Sequence, residues 1–186
     1  MNLRISLLTS LILLLINNVL TAQNFKVSDK SKVTIEGTST MHDWESVVQN
    51  VSGSGVFTIE NGQLKNISSL NVTFVVKSIE SGKSKMNSLT YDALKEKTNP
   101  NITLKITKIK SISASSIDAE GTLTIAGKSQ TVNVKGKPTV SGNTVTITGE
   151  KEIDMTAYGM EPPTAMLGTI KVGKVVTIKY NLILNQ

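Results

Sequence analysis

The chain has no cysteine. No disulfide can staple it, and no lipid can be attached through an N-terminal Cys, so the fold must hold together by its core alone. Export is not excluded, because oxidising compartments permit disulfides without requiring them. Aromatic residues are only 4% of the chain: three Phe, three Tyr and one Trp. That is too few to build the two aromatic girdles of a transmembrane β-barrel. Arg4 is the only arginine. Nucleic-acid binding, which favours Arg-rich clusters interleaved with aromatics, is therefore not expected. His42 is the only histidine. A zinc site wants three or four ligands at defined spacing, and a Ser-His-Asp arrangement could be assembled only around His42, whose neighbour Asp43 does not orient an imidazole by adjacency alone. Calcium-loop spacing and a phosphate-cradling glycine loop are also missing. No catalytic residue, no metal site and no cofactor is assigned.

What is present begins with a charged and apolar N-terminus. Arg4 forms a short positive region, Leu7–Ile16 is an apolar run of ten residues, and Leu20-Thr21-Ala22 is a small-residue cleavage site. This is the pattern of a secretory signal peptide. Spanning a bilayer takes about 20 apolar residues, so a retained anchor is not expected. Residues 1–22 are read as the signal peptide, with the mature chain starting at Gln23 in a periplasmic or secreted location. The remaining 23–186 is one domain of ordinary size. It carries 19 Lys against 14 Asp and Glu, a net of +5. The lysines are scattered, many at alternating positions such as Lys77, Lys105, Lys128, Lys135 and Lys179, as on a solvated strand face. The charge is compatible with transient contact with an anionic membrane surface. The oligomeric state is not legible.

The stretch Leu70–Ile106 organises the rest. Leu70, Val72, Phe74 and Val76 alternate with other residues at strand periodicity. Ser81-Gly82 stops that strand. Met86, Leu89, Ala93 and Leu94 then form one stripe of a helix, which Asn99-Pro100 is expected to end. Ile102, Leu104 and Ile106 resume the alternation. No other mature segment reads as helical. Strands are expected at Lys32–Gly37, near Glu45–Val51, at Gly53–Ile59, Ile67–Ile79, Asn101–Ile112, Ile117–Ile125, Gln130–Lys137, around Val145–Ile147, at Glu150–Ala157 and at Val175–Leu184. Ala126-Gly127-Lys128 makes the strongest hairpin signal, and Pro138 is expected to break the returning strand. Pro162-Pro163 keeps Tyr158–Gly168 out of regular strand. Apolar-against-polar alternation fits antiparallel pairing with one solvated face. The fold class is all-β: about eight strands closing into a barrel that is filled by side chains or holds one slender ligand, with the helix at its end.

Other candidates read more simply as surface or core. Asp118 with Glu120, and Glu150, Glu152 with Asp154, each share one face of a strand, the solvent face. Asn-x-Ser/Thr at Asn50, Asn66, Asn71 and Asn101 is what a polar strand face produces by chance. Met86, Met160 and Met166 suit either core packing or the mouth of an apolar cavity, since thioethers adapt to irregular shapes.

An ordered set of stretches resembles the YceI-like family. It comprises Gly37-Thr38-Ser39-Thr40-Met41-His42-Asp43-Trp44, Gly53-Ser54-Gly55-Val56-Phe57 and Lys77-Ser78-Ile79-Glu80-Ser81-Gly82. Met86…Leu89…Ala93-Leu94-Lys95 follows, with Asn99-Pro100-Asn101-Ile102. Gly121–Lys128, Asp154–Gly159 and Val172–Val176 complete it. The resemblance covers Phe25 to Leu184. It implies an extended lipocalin-like antiparallel barrel with an elongated apolar cavity, and a long isoprenoid ligand such as a prenyl quinone or prenyl phosphate. It supplies no catalytic residues. The residues expected to line the cavity are Phe74, Val76, Met86, Leu89, Leu94, Ile102, Leu123, Ile125, Met155, Tyr158 and Ile178. The alternative is a filled barrel that acts through its surface, as a stress-linked or envelope interaction protein.

Overall fold

A computed structural model describes residues 22–186. The expected signal peptide falls almost wholly outside the described residues. In chain order the strands are β1 (Ala22–Val27), β2 (Lys32–Ser39), β3 (Trp44–Val48), β4 (Val51–Glu60), β5 (Gln63–Val75) and β6 (Ile79–Glu80). Helix α1 (Ser84–Ala93) follows, then β7 (Asn101–Ile112), β8 (Ile117–Ile125), β9 (Lys128–Ser141), β10 (Thr144–Asp154), β11 (Thr164–Ala165) and β12 (Ile170–Asn185).

All pairings are antiparallel, and they close a ring. β1, β4, β5, β7, β8, β9, β10 and β12 follow one another, and β12 returns to β1 through Lys26↔Asn185 and Val27↔Leu184. β2 extends β1 along the same partner, pairing Lys32–Ser39 with Val172–Asn181 of β12. β3 likewise extends β4, and β6 extends β5, so that β2, β3 and β6 form the wall at the other end. The barrel thus has eight staves, three of them bent or interrupted. Short turns make this topology. At Asn61-Gly62 both residues have positive φ, 51° and 71°, and Glu60 pairs with Gln63 across them. That backbone matches the strand twist and needs residues such as Asn and Gly.

Several boundaries differ from the sequence reading: β1 was not expected, β5 stops at Val75 before a 3-10 turn and does not run to Ile79, β10 stops at Asp154 and not Ala157, and the short β11 lies inside Tyr158–Gly168. Pro138 does not break β9; it is buried and pairs with Ile147 of β10. β9 leaves β8 at Gly136 and takes up β10 from Lys137 onward. The proline sits just past this exchange, where its missing N–H interrupts no ladder with β8. The helix, in turn, ends at Ala93 and not at Asn99. Lys95 turns left-handed at φ 53°. The Lys95 amide donates to the Asp92 carbonyl and the Glu96 amide to the Tyr91 carbonyl. These are the two bonds of a Schellman ending, made here with Lys in the place usually taken by Gly.

The interior is packed at one end. Phe25 and Phe57 stack with ring centroids 5.1 Å apart. Leu64, Ile67, Leu70, Val145, Ile147, Leu182 and Leu184 fill the space around them, all buried. No helix among the described residues is long and apolar enough to cross a membrane.

Candidate functional site

At the other end the interior is hollow. A cavity of about 380 Å³ lies beneath α1. Its walls are Ile35 of β2, Trp44 and Ser46 of β3, Ile79 of β6, Ile102 of β7, Ile125 of β8, Ile153 of β10, and Val172, Val176 and Ile178 of β12. Met86, Leu89, Thr90, Ala93 and Leu94 of the helical segment cover it, and Met155, Met160, Pro163 and Ala165 close the opposite flank. Ser39, Met41, His42, Lys83 and Lys85 stand at the rim. The volume lies within the range of roughly 300–1,000 Å³ usual for small-molecule pockets.

The helix is held over this space by specific contacts. Asn87 Oδ1 accepts from the Ser81 amide at 2.8 Å and from Ser81 Oγ at 2.6 Å, which fixes the entry to α1. Tyr91 Oη lies 3.0 Å from the carbonyls of both Lys77 and Ile79, and Lys77 Nζ sits 4.6 Å from the centre of its ring. Burial, then the charges of Glu80 and Glu96, push the Tyr91 hydroxyl pKa up. With its polar side tied to the β5–β6 segment, the helix turns its Met86–Leu94 stripe to the cavity.

Trp44 is positioned by a missing side chain. Gly37 pairs with Trp44 across β2 and β3, and a Cβ at Gly37 would come within 2.3 Å of the indole ring. The ring therefore lies flat over the glycine, while its Nε1 donates to the Thr38 carbonyl at 3.1 Å. Close approach of this kind is what a strand glycine permits.

Seven of the expected lining residues border the cavity: Met86, Leu89, Leu94, Ile102, Ile125, Met155 and Ile178. Four do not. Phe74 is in register with Ile102 but stays outside the lining. Val76 is 1% exposed, yet a 3-10 turn at Val76–Ser78 breaks the strand alternation there. Leu123 pairs with Leu104 one step further down the barrel wall. Tyr158 is buried in the turn after β10, where burial pushes its hydroxyl pKa up. Of the three methionines singled out, Met86 and Met160 border the cavity, whereas Met166 is 73% exposed. Ile35, Ser46 and Ile79 line the cavity outside the expected set, as do Trp44 and, at the rim, His42. The alternation of Val33 with Ile35 was the available signal.

The polar groups here offer little chemistry. His42 is exposed, and its Nδ1 donates to the Asp43 carbonyl at 2.7 Å. Ser39 Oγ donates to the His42 carbonyl at 2.8 Å. Ser46 is 2% exposed, and its hydroxyl finds no partner among the described residues. No group of three His, Asp or Glu among the described residues is arranged to hold a metal.

An antiparallel barrel packed at one end and hollow, apolar and capped at the other is a lipocalin-like architecture. The chain belongs to the YceI-like family: the YceI-like domain matches residues 23–184. Among solved structures it is similar to BcnA of Burkholderia cenocepacia, with 26% identity and a TM-score of 0.73 over 84% of this chain and 98% of that one. It also resembles a polyisoprenoid-binding domain from Saccharophagus degradans implicated in plant cell wall breakdown, at 13% identity and a TM-score of 0.68, covering 87% and 97%. A YceI protein of Campylobacter jejuni matches at 17% identity and a TM-score of 0.63, covering 76% and 84%. No curated protein sequence matches the chain.

Proposed function

We propose that this protein is an exported binding protein, periplasmic or secreted, that sequesters or carries a long-chain isoprenoid lipid in the cavity beneath α1. The observation that carries the reading is the composition of that cavity. Its body is mostly Ile, Val, Leu and Met, with Trp44, Ser46 and Thr90 among them, and its charged groups, Lys83 and Lys85, stand only at the rim. A slender branched hydrocarbon gains about 0.8 kcal/mol for each CH₂ buried in such a space. A polar headgroup is then left at the mouth, near the lysines. A prenyl quinone or a prenyl phosphate has this build. Membership in the YceI-like family and the fold shared with a polyisoprenoid-binding domain support the same ligand class. No residue is assigned a catalytic role.

Native mass spectrometry of the protein as purified from its own cells tests this. The expected spectrum shows a mass increment matching one prenyl lipid per chain, lost on organic extraction. A protein that stays ligand-free as purified, and also after incubation with prenyl quinone and prenyl phosphate, would overturn the reading.

A further inference from the structure

Large apolar side chains are exposed at few places among the described residues. They are Met41 at 67%, Met166 at 73%, Leu167 fully exposed, and Val175 at 39%. Three of the four stand together. Met41 lies in the turn between β2 and β3, and Met166 and Leu167 lie in the loop between β11 and β12. The two loops are bonded to each other: the Thr40 amide donates to the Lys171 carbonyl at 3.0 Å, and Thr40 Oγ1 donates to the Thr169 carbonyl at 3.2 Å. Both border the cavity mouth, because Met41, Ala165 and Ile170 are among its lining residues.

The backbone holds this projection. Met166, Leu167 and Gly168 are consecutive left-handed residues, with φ of 51°, 55° and 87°. Two non-glycine residues in that region are held there at a steric cost, and the effect is to thrust Leu167 into solvent. Clustered exposed apolar groups mark an interaction surface, whereas scattered ones need no explanation. Lysines stand beside them. Lys83 and Lys85 stand at the same rim, and Lys171, exposed, alternates with the inward Ile170 and Val172. Asp43, Glu80 and Glu161 are exposed on the adjoining segments, while residues 23–186 as a whole carry a net charge of +5.

From these contacts we infer that the open end of the barrel docks on an anionic phospholipid bilayer. Leu167, Met166 and Met41 enter the interfacial region, and the lysines meet the lipid phosphates. Apolar side chains with flanking lysines are how peripheral proteins sit at a membrane interface. The inference rests on the isoprenoid reading for its purpose. A lipid that resides in a bilayer would then enter the cavity through a mouth already seated on that bilayer, without crossing water.

The test is co-sedimentation of the ligand-free protein with vesicles of phosphatidylcholine alone and of phosphatidylcholine with 30% phosphatidylglycerol. The expected result is at least tenfold stronger partitioning to the anionic vesicles, weakening as salt screens the charge. The Met166→Ser/Leu167→Ser protein should partition at least fivefold less, with its thermal melt and its binding of a detergent-delivered prenyl lipid unchanged. Lys83→Gln/Lys85→Gln should remove most of the preference for anionic vesicles. If the double serine variant does not fold, Leu167→Ser alone decides, with at least a twofold loss expected. Equal partitioning of wild type and serine variant overturns the inference, as does wild-type partitioning no different from that of a soluble control. A serine variant that changes only the sedimentation coefficient also overturns it, by making the patch a self-association face. Vesicle binding by a protein that accepts no prenyl lipid would support docking and sink the cargo reading, so the two fail separately.

Discussion

Tyr180 lies where β9 and β10 part. These strands pair only from Lys137↔Thr148 to Ser141↔Thr144, and beyond that they separate. Tyr180, on β12, donates its hydroxyl to the Lys135 carbonyl across the gap. Its register partner on β10 is Gly149, where a Cβ would come within 2.6 Å of that hydroxyl. Burial first, and the Glu150 charge second, push the Tyr180 pKa up to about 12. The unfolded chain titrates its tyrosines near pH 10. Stability from this residue is therefore fully present below pH 10 and is lost as pH rises toward 12, because only the unfolded state has then released the proton. Two units correspond to roughly 2–3 kcal/mol. Urea melts at pH 9 and pH 11.5 should show a fall of that order. Tyr180→Phe should reduce it while costing about 1 kcal/mol at neutral pH for the lost hydrogen bond. Some slope will remain, because Tyr91 and Tyr158 are shifted in the same direction. An unchanged pH 9 to 11.5 difference in the Phe variant would show that the hydroxyl is not held in this buried setting. Alternation with Ile178 and Leu182 made the inward position of Tyr180 legible in the sequence. The gap it spans depends on where two strands cease to pair, and no local pattern records that.

At the scale of elements, α1 is where the sequence was most and least informative. The Met86, Leu89, Ala93, Leu94 stripe is local, and all four residues border the cavity. The end of the helix was misjudged because proline is a visible stop signal, while a left-handed Lys95 is not. Pro138 misled for the opposite reason: its effect depends on which strand lies beside it. The helix also supplies the sharpest test of the binding reading. Leu89 is half-buried against the cavity. Leu89→Trp should fill space that a ligand needs and reduce prenyl-lipid binding at least tenfold. Overpacking should cost about 1–3 kcal/mol, within what a domain of this size tolerates. Leu89→Asp should be worse for the fold, because it places an unpaired charge on an apolar wall. Binding of a fluorescent prenyl lipid to the folded Trp variant is the deciding measurement. Wild-type affinity with an intact melt would mean that α1 is not a wall of the site.

The whole molecule is a barrel with two unlike ends, and this division explains which site residues could be read in advance. Period-2 alternation tells inside from outside but says nothing about height along the barrel. Phe74 and Leu123 were assigned to the site on alternation; Phe74 remains outside the cavity lining and Leu123 lies lower on the wall. Ile35 and Ser46 were missed because β2 and β3 reach the site only through ring closure against β12, a pairing between opposite ends of the chain. If packing and binding are separated by height, they should be separable by mutation. Phe57 is fully buried and stacks on Phe25 at the packed end, outside the cavity lining. Phe57→Ala should cost about 3–5 kcal/mol, lowering the melting temperature by roughly 10 °C. Prenyl-lipid affinity of the folded variant, measured well below its melt, should stay within about twofold of wild type. Leu89→Trp should show the reverse, a small stability loss with a large binding loss. The two substitutions are far enough apart in the barrel for their stability effects to add within about 0.5 kcal/mol. A large loss of affinity in folded Phe57→Ala would mean that the packed end sets the shape of the hollow one, and the barrel would have to be treated as a single mechanical unit.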